Sequence, residues 1–102
     1  MPIPSINGRW YVDTSIFHLI WHQWEGNYAV FHTGSAETHI LDTLAAKCLQ
    51  LLQQTPLNIA ELSKKLSDAL SLDLDDDLYE YVDGTIQQFE LLGLIEQKRA
   101  FI

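Results

Sequence analysis

THILDTLAAKCLQLLQQ, residues 38–54, decides how this chain is read. It opens as a short extended run and turns at Asp42 into a helix with no spacer between the two. Apolar residues fall at Leu41, Leu44, Ala45, Cys48, Leu51 and Leu52, the i, i+3, i+4, i+7 recurrence of one helical face. Asp42 is placed to accept from the free N–H groups of the first turn, and its charge suits the positive end of the helix dipole. Pro56 stands where a helix must already have stopped. The stretch predicts a strand joined rigidly to a core helix, a platform that holds one strand edge in a fixed place.

Upstream, residues 16–24 fit two patterns. As a strand, Phe17, Leu19 and Trp21 face one way, and Ile16, His18, Ile20, His22 and Trp24 the other. As a helix, Ile16, Phe17, Ile20, Trp21 and Trp24 form a stripe. Aromatic, β-branched and histidine residues favour the strand. Glu25-Gly26-Asn27 then reads as a hairpin loop into a second run, residues 28–32. Residues 33–36, with Gly34 and Ser35, turn the chain into residues 37–41. Three strands thus precede the first helix. Residues 9–12 are a candidate short edge strand. Residues 1–8 hold two of the three prolines and read as a flexible arm before a single domain over 9–102.

Downstream, Asn58 followed by Glu61 announces a second helix through a capping box, with Ile59, Leu62, Leu66 and Leu70 as its buried stripe. Residues 71–77 form an acidic loop, and Asp75 or Asp76 caps a third helix that runs to about Leu92. Gly93 follows in the position that favours a left-handed residue. Residues 94–97 are a candidate closing strand. The third helix is unusually apolar. Leu78, Val82, Ile86 and Phe89 form a core stripe, Tyr81, Thr85, Gln88 and Leu92 lie to one side, and Tyr79 to the other. Together they span roughly 180°, where about 100° covers a core. Either the helix is deeply buried, or its Tyr81 to Leu92 edge lines a groove.

The 102 residues are 47% apolar, enough for one domain with its own core. No run reaches the ~18 apolar residues of a membrane span, so no membrane partner is expected. The first ten residues lack the apolar segment of a secretory signal. A single cysteine excludes an internal disulfide. Cys48 lies on an apolar stripe with no cation or helix N-terminus to activate it, which reads as a small buried hydrophobe. These features fit a reducing, cytoplasmic setting. The net charge is −8, and Asp68, Asp73, Asp75, Asp76, Asp77, Glu80 and Asp83 hold half of the fourteen acids. No Lys or Arg lies between Lys65 and Lys98, the opposite of a nucleic-acid contact face. His18, His22, His32 and His39 do not form a metal set. On a strand His18 and His22 are ~13 Å apart, and on a helix HLIWH lacks the glutamate of H-E-x-x-H. No cofactor, metal or catalytic constellation is expected, which favours a binding module over an enzyme.

Several runs resemble the PqqD family of peptide chaperones, the RiPP recognition elements. They are residues 28–32, the turn at 33–36, residues 37–41, Leu44-Ala45-Ala46-x-x-Leu49, Asn58-x-x-Glu61-Leu62 and Leu91-Leu92-Gly93-Leu94-Ile95-Glu96. The likeness covers residues 10–97 and is strongest to the subgroup associated with an HPr kinase paralogue. That subgroup reads S-G-x-T-H-L-L where this chain has Ser35-Ala36-Glu37-Thr38-His39-Ile40-Leu41. The resemblance implies an α+β, winged-helix-like domain, three N-terminal β-strands followed by three α-helices. It also implies binding of the leader segment of a ribosomally made precursor peptide for a modifying enzyme. In such proteins the leader adds to the third strand and lies against the third helix. The corresponding residues here are Glu37, Thr38, His39, Ile40 and Leu41, with Tyr81, Thr85, Gln88 and Leu92. Two other readings remain: a winged-helix DNA-binding regulator, and a structural subunit whose extra apolar arc forms a homodimer interface.

Overall fold

A computed structural model describes residues 8–99. The chain runs β1 (Gly8–Tyr11), β2 (Leu19–Trp24), β3 (Asn27–His32), β4 (Glu37–Asp42), α1 (Thr43–Gln54), α2 (Ile59–Leu70), α3 (Asp76–Leu91) and β5 (Glu96–Arg99). The fold is α+β. The expected order, three strands followed by three helices, needs correction, because four strands precede the helices and a fifth follows them. β1 and β5 form a separate antiparallel pair, with Gly8 opposite Arg99, while β2, β3 and β4 form a sheet in that order. The pairing of β1 with β5 joins the two ends of the described chain, and no local pattern announces such a contact. Gly8 is buried within β1, so the arm does not include it. The remainder of that arm, residues 1–7, and residues 100–102 of the expected domain lie outside the described residues.

The hairpin reading of residues 16–32 holds from Leu19 onward. Glu25 and Gly26 take φ values of 43° and 80°, the paired positive angles of a two-residue turn that matches strand twist. Phe17, Leu19 and Trp21 point inward, and Ile20, His22 and Trp24 face solvent. The β3–β4 turn is built on His32, which is buried and stacked on Phe17 with ring centroids 3.8 Å apart. Its Nδ1 accepts from Ser35 N at 3.0 Å. Gly34 is required here, since a Cβ would stand 2.9 Å from the His32 ring. Ala36 completes the turn at φ 61°, a left-handed angle that L side chains seldom adopt.

Asp42 ends β4 and caps α1, its Oδ1 accepting from Ala45 N at 2.8 Å. Cys48, Leu51 and Leu52 of the expected stripe are buried, whereas Leu44 and Ala45 are only half-buried. Ala46 and Leu49, left off that stripe, are fully buried. The buried arc is wider than one stripe because α1 packs against β1, β3, β4 and α2 together. Asn58 and Glu61 form the capping box of α2. Glu61 also receives Arg9 through two hydrogen bonds of 2.9 and 2.8 Å, which fastens β1 to this helix. Trp10 and Leu57 exchange backbone hydrogen bonds of 2.9 and 3.1 Å, tying β1 to the link between α1 and α2. Asp75 caps α3 through Leu78 N at 3.0 Å. At the other end Leu94 N reaches Phe89 O and Gly93 N reaches Glu90 O, the paired bonds of a left-handed C-terminal cap, with Gly93 at φ 75°. The expected closing strand over 94–97 starts two residues later, because Leu94 and Ile95 turn into the core.

Candidate functional site

β4 lies at one edge of its sheet, paired only with β3 among the described residues. An edge strand directs half of its N–H and C=O groups away from its neighbour, ready for another strand. The register sets Val30 opposite His39 and Tyr28 opposite Leu41. His39 and Leu41 therefore point inward, while Thr38 and Ile40 face solvent, Ile40 at 62% exposure. Beside this strand runs α3.

Between them is a cavity of about 470 Å³. Thr38, His39, Ile40 and Leu41 form one wall, Asp42 and Ala45 close it at the start of α1, and Tyr81, Thr85, Gln88, Phe89 and Leu92 form the other wall. Every residue expected at the site lines this cavity except Glu37. Glu37 is exposed at the start of β4, with its Oε1 3.9 Å from His39 Nε2, too far for a hydrogen bond. Within the described residues His39 Nε2 is buried without a partner.

The two readings of α3 divide along its surface. Leu78, Val82, Ile86 and Phe89 are core, as expected, and Thr85 joins them at 8% exposure. Tyr81 and Leu92 are half-buried and Gln88 is exposed, so these three form the open part of the wall. Asp42, Ala45 and Phe89 are the lining residues that pattern reading missed, having been assigned to a cap or to a core stripe. The small side chain of Ala45, in the first turn of α1, is the signal that space would remain there. A second recess of about 320 Å³ lies on the other side of Tyr81, between Leu44, Leu72 and Leu78 and the carboxylates of Asp73, Asp75 and Asp77.

The Tyr81 phenol is pushed up to about 12, first by burial, with a hydrogen bond to Thr85 opposing the shift and the nearby Asp42 and Cys48 adding to it. It is therefore a neutral hydrogen-bonding group in ordinary conditions. Burial also pushes the Cys48 thiol up to about 12, with Asp42 adding to it, so the thiolate a nucleophile requires is suppressed. The lining residues include a carboxylate but no Lys or Arg. Among the described residues, no three His, Cys, Asp or Glu side chains converge on a metal position. In the same range no helix is long and apolar enough to cross a membrane.

No protein-family model matches this chain, and neither a curated protein nor a solved structure matches it. What the site can do follows from its own geometry. It offers unpaired main-chain groups along β4, apolar lining from Leu41, Ala45, Phe89 and Leu92, and polar lining from Asp42, Tyr81 and Gln88.

Proposed function

We propose that this chain is a non-catalytic adaptor that captures an extended peptide by strand addition to β4, with the peptide's inward side chains received between β4 and α3. One observation carries the proposal: the open edge of β4 borders a 470 Å³ cavity whose far wall is α3. Main-chain hydrogen bonds along the edge supply affinity, and the cavity supplies selectivity through alternate side chains. The other edge of the sheet, β2, borders neither of the two cavities described above.

Joined to the PqqD-like motifs, the proposal extends to a winged-helix-like fold, to the leader of a ribosomally made precursor as the peptide, and to a modifying enzyme as the second partner. The Ala36 angle supports that likeness, since the subgroup's glycine at this position would adopt φ 61° without strain. A free, buried Cys48 agrees with a reducing, cytoplasmic setting. A structural role as a homodimer draws support from Ile20, Trp24 and Ile40, which stand exposed on the outward face of the same sheet.

The test is an NMR titration with a synthetic leader segment of a short ribosomally made precursor. Amides of β4 and of residues 81–92 should shift together. Shifts confined to α2 would refute the proposal, and self-association that disperses the outward-face signals in the absence of peptide would favour the homodimer.

A further inference from the structure

Gly84 stands in the middle of α3, where glycine supports a helix less well than alanine does. Nothing inside the described chain calls for it. It is exposed, and a Cβ built there meets no atom within 4 Å. Gly84 comes three residues after Tyr81 and four before Gln88, which makes it the surface neighbour of both. Those two side chains line the cleft wall, and Gly84, just outside that lining, leaves a notch between them on the helix surface. Seven residues further along the same helical row is Leu91, a large apolar side chain left 88% exposed. Among the described residues, a gap and a large apolar side chain thus lie uncovered on one row, open to a partner.

Resting on the strand-addition reading, we infer that the occupant is an extended peptide of net positive charge that seats a large apolar side chain in the notch at Gly84 and covers Leu91. An added strand lies about 4.8 Å beyond β4 and turns every second side chain toward α3. Full side chains at every position of the wall would hold such a strand off the helix, whereas the notch admits one bulky residue. The sign of the peptide's charge follows from its surroundings. Asp42 lines the cleft, Glu37 begins β4, and Asp77 precedes Gly84 on the same row. No Lys or Arg occurs between Lys65 and Lys98 to offset them. An acidic peptide meets like charge along this path, and a basic one is steered in and held in register. Lysine and arginine stems also cover apolar surface while their heads reach the carboxylates.

The probes are dodecapeptides selected from a random display library on the full chain, then synthesised and titrated into the wild type and Gly84→Ala. Selected sequences should be rich in Lys and Arg around one large apolar residue, and should shift the amides of β4 and α3. Gly84→Ala should melt about 2–8 °C higher than the wild type. It should nevertheless bind with a Kd about tenfold weaker, a split that loss of folding cannot produce. Unchanged affinity of Gly84→Ala alongside β4 shifts would overturn the notch and leave strand addition standing. Selected peptides that are neutral or acidic would overturn the charge assignment. Failure to select any peptide, or shifts that spare β4, would overturn both this inference and the reading beneath it.

Discussion

The Tyr81 hydroxyl stands 3.5 Å from Oδ1 of Asp42, the residue that ends β4 and caps α1. Two walls of the cleft therefore meet at one carboxylate. Asp42→Asn keeps a side-chain oxygen for the cap and removes the charge. The Tyr81 phenol should then titrate below its present value of about 12, yet still above an ordinary tyrosine, because burial is the larger cause. Ultraviolet titration of the phenolate reads this directly. An unchanged midpoint would mean that the carboxylate does not act on the phenol.

Substitutions along α3 should separate its core from its open wall. Phe89, at 2% exposure, should cost about 3–5 kcal/mol as Phe89→Ala. Gln88→Lys should stay within ~0.5 kcal/mol, since the position is exposed. Thr85 shares a helical angle with Gln88 but is buried, so Thr85→Lys should unfold the domain at lower temperature than Gln88→Lys. Thermal melts of the three variants decide this ordering.

Alkaline stability should depend on Cys48. Its folded pKa of about 12 stands above the ordinary 9, so the protonated thiol stabilises the fold fully below pH 9. That contribution, on the order of 4 kcal/mol for a group this deeply buried, is lost as pH rises toward 12. Urea unfolding at stepped pH should show the decline, and Cys48→Ala should flatten most of it. Tyr81 and Tyr11, whose shifts have the same sign, contribute to the part that persists.

Ala36→Gly should stabilise the protein. A left-handed angle costs an L residue about 1–2 kcal/mol that glycine does not incur. Part of that gain is offset by the larger freedom of glycine in the unfolded chain. A net rise in melting temperature is the expected result, and a fall would mean that the Ala36 methyl packs usefully in the turn.

Duplex DNA should not bind at low salt, where charge effects are largest. α3 carries Asp76, Asp77, Glu80, Asp83 and Glu90 and no base, so phosphate is repelled. Sub-micromolar binding in a fluorescence anisotropy assay would contradict this.

Local chemistry makes most elements legible in the sequence alone. The Asp42 cap, the Asn58–Glu61 capping box and Gly93 each depend on side chains within a few residues of the backbone they serve, and each lies where the pattern placed it. The sheet was readable from the alternation of Leu19, Trp21 and their outward neighbours. What pattern could not supply was contact between distant segments. β1 meets β5 across nearly the whole chain, and its strand boundaries shift because pairing, not propensity, sets them. The cleft was legible in its two walls but not in all of its lining. Ala45 and Phe89 are ordinary core residues by sequence, and only packing leaves their surfaces open to a cavity. Thr85 shows the converse, since a helical angle gives direction but not the depth of what lies opposite.

The ladder between β1 and β5 has an architectural consequence. Gly8 and Arg99 are partners across two antiparallel strands, so the described chain starts and finishes on one small sheet, roughly 5 Å apart. A unit with both ends at one doorway can be set into a loop of a larger protein, or hung from its terminus, without being pulled apart. The strand that carries the open edge belongs to the other sheet. Grafting at the doorway would therefore leave that edge free, so the domain could be moved between hosts without blocking it.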